Sequence, residues 1–104
     1  MVITVIVRIF KALVINGELE RWQQQVEDYS IPWLEAQEGM LACYPGKPLG
    51  DEREFVMVSL WRDLDSLRAA VGDNWTEVVL FEDEASLVES VAVDHYESFG
   101  LPEA

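Results

Sequence analysis

Arg53–Gly72 reads REFVMVSLWRDLDSLRAAVG, and this stretch decides the fold. Phe55 to Trp61 is an apolar run of strand length. By alternation, Val56, Val58 and Leu60 point one way while Phe55, Met57 and Trp61 point the other. Two residues later Asp63 has the right chemistry to cap a helix. Leu64, Leu67 and Val71 then follow at helical spacing, and Gly72 supplies the stop. A buried strand therefore passes directly into an amphipathic helix.

The same reading extends outward in both directions. Val2 to Phe10 is β-branched and apolar, a first strand. A helix starts at Asn16 or Gly17 and places Leu19, Trp22, Val26 and Tyr29 on one stripe. Pro32 interrupts it, and Ser30 caps a short turn carrying Trp33 and Leu34 that stops at Gly39. Met40 to Tyr44 is a second strand, and Pro45 to Glu52 (PGKPLGDE) is a loop. After the central strand and helix, Asn74 caps a turn holding Trp75, Val78 and Val79. Phe81 to Ser86 is an acidic connection, Leu87 to Phe99 a last strand, and a loose tail begins near residue 100. The order β-α-β-β-α-β is ferredoxin-like, an α+β fold with both helices on one face of a four-stranded antiparallel sheet. The 104 residues form one domain, residues 1–104.

The two central strands are apolar on both faces, yet two helices can cover only one. An exposed second face would be a larger apolar patch than a monomer usually shows. A homodimer packed sheet on sheet removes it, and charging that face, as in Met57→Glu, is expected to break the dimer.

Composition narrows the function. The chain carries 20 Asp and Glu against 7 Lys and Arg, a formal net charge of −13. Phosphate backbones and anionic membranes would be repelled, so neither nucleic acid nor membrane is an expected partner. One cysteine, Cys43, excludes an internal disulfide and fits a reducing, cytoplasmic setting. The N-terminal MVITVIVRIF lacks a basic start and a cleavage site, and reads as a strand. One His and one Cys build no metal site by themselves. No phosphate loop, flavin or nicotinamide fingerprint is present, so no cofactor is expected.

The pattern of a strand ending Ser59-Leu60-Trp61, a short helix, and then Gly72-Asp73-Asn74-Trp75 resembles the antibiotic biosynthesis monooxygenase family. The likeness runs from Ile3 to Tyr96. It implies a dimeric α/β barrel and, in some members, oxidation of a polycyclic phenol or anthrone without a cofactor. Related haem-degrading enzymes use a histidine on the helix after the strand-end tryptophan and an asparagine on the first strand. This chain has no histidine between Arg62 and Trp75 and no asparagine in its first strand, so haem is not expected.

Within that frame, six residues are candidates for binding a small aromatic ligand. Phe55, Met57 and Trp61 would be apolar walls, and Ser59 could hydrogen-bond a substrate oxygen. Arg8 interrupts an apolar strand, and a buried guanidinium needs a partner. Either it pairs with Asp94 on the neighbouring last strand, or it holds a phenolate or carboxylate in a cavity. His95, the lone histidine, and Tyr96 are the proton-handling candidates. Alternation puts Asp94 and Tyr96 opposite His95, so the three cannot share one cavity. The competing function is a dimeric, non-catalytic small-molecule-binding or stress-associated protein of the same fold.

Overall fold

A computed structural model describes residues 2–78, 80, 82–99, 101 and 102, with backbone alone at residues 2, 3, 101 and 102. Val79 and Phe81, placed above in a turn and a connection, lie outside the described residues.

The centre of the sheet is the antiparallel pair β2 (Ile6–Val14) and β4 (Glu54–Trp61). β3 (Met40–Gly46) flanks β4 and β5 (Val88–Glu97) flanks β2, giving the order β3-β4-β2-β5. This is the expected four-stranded α+β arrangement. A short β1 (Val2–Ile3) pairs with β6 (Leu101–Pro102), so a two-stranded ladder stands where a loose tail was expected.

β2 runs four residues past Phe10. Ala12 and Val14 are fully buried there, and with Trp22, Phe55 and Leu87 they form the core cluster. Phe10 stacks on Trp22 with ring centroids 6.3 Å apart. Alternation then sorts the strands into two faces. Arg8, Phe10, Ala12, Val14, Phe55, Met57, Ser59 and Trp61 lie under the helices, and Val7, Ile9, Val58 and Leu60 lie on the outer face. Met57 is therefore an inner residue, and Met57→Glu would not probe the outer face. Val58 and Leu60 are the positions that do.

The first helix continues through Pro32. α1 (Leu19–Gln25) passes into a π turn (Val26–Ser30) and then α2 (Ile31–Glu35). The Ile31 N–H bonds to the Val26 carbonyl, five residues back. That wider turn makes room for a ring that would otherwise press on the carbonyl four residues before it. Ser30 is helical and does not act as a cap. Trp22 and Val26 face inward, but Tyr29 is exposed.

Asp63 caps α3 (Leu64–Val71) as its chemistry demands, accepting from the Ser66 N–H at 2.8 Å. Its carboxyl is held below the usual range, first by the Ser66 hydrogen bonds. Leu67 is fully buried, while Leu64 is 36% exposed. The helix stops at Gly72, whose φ of +95° favours glycine. The turn before β3 must also be glycine. Gly39 has φ +84°, and a Cβ there would overlap Ser66. The acidic connection contains a one-turn helix, α4 (Glu82–Ala85). No helix among the described residues is long and apolar enough to cross a membrane.

Candidate functional site

The helices do not close fully onto the sheet. A cavity of about 440 Å³ lies between the inner face, the α1–α2 helix, the end of α3 and α4. Most of its wall is apolar, with Phe10, Trp22, Val26, Ile31, Phe55 and Met57 among the lining residues. Arg8, Ser59 and Trp61 also line it. Of the six binding candidates, the four on β4 (Phe55, Met57, Ser59 and Trp61) and Arg8 on β2 meet on this wall, and Asp94 on β5 does not.

One row of polar side chains crosses the inner face. Register pairs Cys43 with Ser59, Ser59 with Arg8, and Arg8 with His95. Directly opposed residues on neighbouring strands lie side by side, so the row runs Cys43, Ser59, Arg8, His95 across all four strands. Burial pushes the Cys43 thiol up and Glu35 pushes it further, which keeps it a neutral thiol.

Arg8 is 8% exposed. Nη1 donates to the Trp75 carbonyl at 2.9 Å and to Nε2 of His95 at 3.0 Å. A guanidinium has five N–H donors, so those on Nε and Nη2 remain. No described side-chain polar atom is sealed away without a partner, and Arg8 lines the cavity. The remaining donors are thus not sealed away, and the side chain that carries them lines the cavity. No carboxylate among the described residues lies within ion-pair distance of Arg8. Burial pulls its basicity below the ordinary arginine value, yet arginine remains a cation.

The expected Arg8–Asp94 pair does not form. Register sets Asp94 opposite Ile9 and Tyr96 opposite Val7, both on the outer face. Asp94 is exposed and Tyr96 is 56% exposed, so neither reaches the cavity. The strands are neighbours as expected, but the two side chains point to opposite sides of the sheet.

His95 shares the inner face with Arg8 but is not among the lining residues. Its ring meets Trp75 edge-on, with centroids 4.8 Å apart. Because arginine can only donate, Nε2 accepts, and His95 is neutral with its hydrogen on Nδ1. Burial depresses its pKa first and the Arg8 charge second, against an opposing pull from Asp94. The lone pair a base would use is already taken by Arg8.

Ser59 accepts the Trp61 indole N–H at 2.9 Å. Its own hydroxyl hydrogen stays available for donation. Ser59 is 2% exposed and Trp61 fully buried, so each holds the other in place. Arg8 and Ser59 thus present donors side by side on an otherwise apolar wall.

Gln23, Glu27, Ser30, Lys47 and Glu84 also line the cavity and were not anticipated there, and two of them bond to each other. Glu84 on α4 is 5% exposed and lines the cavity, and the Ser30 hydroxyl donates to its Oε1 at 3.1 Å. Ser30 follows Trp22 and Val26 at four-residue steps, so helical periodicity could have placed it inward. The Glu82-Asp83-Glu84 run carries no such signal.

The chain matches the family model described as antibiotic biosynthesis monooxygenase over residues 4–74. No curated protein matches. Solved structures do. A protein from Shewanella oneidensis aligns at 18% identity over 92% of each chain, with a TM-score of 0.76. A protein from Pseudomonas aeruginosa aligns at 18% identity over 93% of this chain and 96% of its own, with a TM-score of 0.74. The heme-free heme-degrading protein of Mycobacterium tuberculosis aligns at 14% identity over 97% of this chain and 98% of its own, with a TM-score of 0.65. At these identities the likeness is one of fold.

Proposed function

The chain belongs to the antibiotic biosynthesis monooxygenase family, and we propose that its cavity binds a flat phenolic or anthrone-type compound as an anion and oxidises it with dioxygen. The observation that carries this reading is Arg8, a buried cation with spare donors and no carboxylate partner among the described residues, in a largely apolar cavity with aromatic side chains in its wall. Desolvating a cation is costly unless something compensates it. A substrate oxyanion would do so, with Ser59 donating beside it.

The chemistry then asks little of the protein. Loss of a proton gives an electron-rich enolate. It passes an electron to dioxygen, the radicals combine at carbon, and the peroxide loses water. One oxygen atom enters the product as a quinone carbonyl and the other leaves as water. Haem has no place in this reading, because the one histidine has Nε2 bound by Arg8.

The outer face supports the second part of the proposal, a homodimer packed sheet on sheet. Val7, Ile9, Val58 and Leu60 are only partly covered there, although Lys11 and Asp94 share the face.

His95 favours a second reading. With its lone pair occupied, the expected base is missing, as in a binding protein of the same fold that does no chemistry. Anaerobic titration of anthrone followed by admission of air separates the two. Binding followed by oxygen uptake and quinone formation supports the enzyme. Binding without oxygen uptake supports the binder, and no binding overturns both.

A further inference from the structure

Two carboxylates line the cavity and the reading above uses neither: Glu27 is exposed, and Glu84 is buried. Of the chain's 20 acidic residues, Glu84 is the only buried one among those described. Its neighbours Glu82, Asp83 and Ala85 on α4 are exposed, so the one-turn helix turns this side chain alone into the protein. Ser30, on the π turn and also lining the cavity, donates to it from 54 residues away in sequence.

We propose that Glu84 is the proton acceptor of the cavity, taking the ring-carbon proton of a polycyclic ketone whose oxygen Arg8 holds. The assignment rests on the cavity being the site of a phenolate or enolate. An anthrone requires two separate groups. Its negative charge gathers on the ketone oxygen, while the proton leaves from the methylene carbon across the central ring. Arg8 reaches the cavity from the sheet and Glu84 reaches it from α4, and both line it. The C–H bond breaks, its electron pair spreads through the ring to the oxygen, and the proton passes to the Glu84 carboxylate. A carboxylate out of water is a stronger base than one in solution, and a guanidinium beside a forming oxyanion makes the carbon acid stronger. His95 cannot take this part, because its free nitrogen lone pair accepts from Arg8.

The test is deuterium exchange at the anthrone methylene, followed by NMR in heavy water without oxygen. The wild-type chain should accelerate exchange in a saturable way. Glu84→Gln keeps the side chain's volume and an oxygen for Ser30 to bond. It should lose about a hundredfold or more of the exchange rate, the usual scale of a positioned base. Its anthrone affinity and circular dichroism spectrum should stay close to wild type. Exchange by Glu84→Gln at the wild-type rate overturns the assignment and leaves the cavity reading standing. A wild-type chain that binds no anthrone overturns both. The pH profile of the wild type gives an answer even if the variant does not fold. Exchange that levels off at a plateau as the base ionises supports the assignment, and a rate rising in proportion to hydroxide throughout overturns it.

Discussion

β2, β4 and β5 present two faces of one sheet, and the faces differ in kind. Under the helices, Arg8, Ser59 and Trp61 are buried and tied to neighbours by hydrogen bonds, beside an open cavity. On the other side, Val7, Ile9, Val58 and Leu60 are partly covered, with Asp94 and Tyr96 exposed among them. A polar group survives burial only where its donors and acceptors are met. The inner face holds its polar groups in a fixed row, leaves the Nε and Nη2 donors of Arg8 for a ligand, and so can position a reactive group. The outer face buries nothing polar, and an apolar surface without fixed partners is suited to association. Neighbouring residues on one strand thus serve different purposes, and a one-residue shift in register would exchange them.

Three substitutions would break or sharpen this contrast. The largest effect is expected at Trp61, the largest fully buried side chain among the described residues. Trp61→Ala removes a core aromatic and the donor to Ser59, and should cost about 3–5 kcal/mol of stability in urea denaturation. A loss under 1 kcal/mol would mean that the inner face is not a packed core. On the outer face, Val58→Glu should leave the protomer folded but raise the dissociation constant of the proposed dimer tenfold or more, because a carboxylate would be buried against its own copy. Light scattering that shows the unmodified chain to be a stable monomer would remove the association role.

The smallest effect concerns His95. Its folded pKa lies below the ordinary value of 6.5, first through burial and then through Arg8. The unfolded chain therefore binds this proton first as pH falls. Stability linked to His95 is present above about pH 6.5 and is lost as pH drops from there toward the folded value. His95→Gln should flatten that part of the stability–pH curve. An unchanged slope between variant and wild type would show that His95 titrates alike in both states.

Much of this contrast can be read in the chain, because alternation is a local property. Phe55 to Trp61 shows which residues share a face, Arg8 stands out among apolar neighbours, and Asp63 and Gly72 mark the ends of α3 by their own chemistry. What failed depended on distant register or packing. Arg8 and Asp94 lie on neighbouring strands, but whether they face each other depends on where β2 and β5 align, and that alignment sets Arg8 against His95. Met57 was assigned to the wrong side for a related reason, since alternation groups residues without saying which group the helices cover. Pro32 looked like a helix end because a π turn is not visible as periodicity. Glu84 was hidden in an acidic run that reads as solvated, and its burial and the hydrogen bond from Ser30 set it apart in the fold.

The central claim is that Arg8 holds a ligand anion in the cavity while the outer face takes no part in it. Calorimetry with an anthrone under anaerobic conditions, on Arg8→Met, Asp94→Asn and the double variant, compares the two faces directly. Arg8→Met should weaken binding roughly ten- to a hundredfold, the scale of a lost charged hydrogen bond of about 1.5–3 kcal/mol, with the fold intact. Asp94→Asn should bind as the wild type does, and the double variant as Arg8→Met does. Unchanged affinity in Arg8→Met would contradict the account and take Arg8 out of the site.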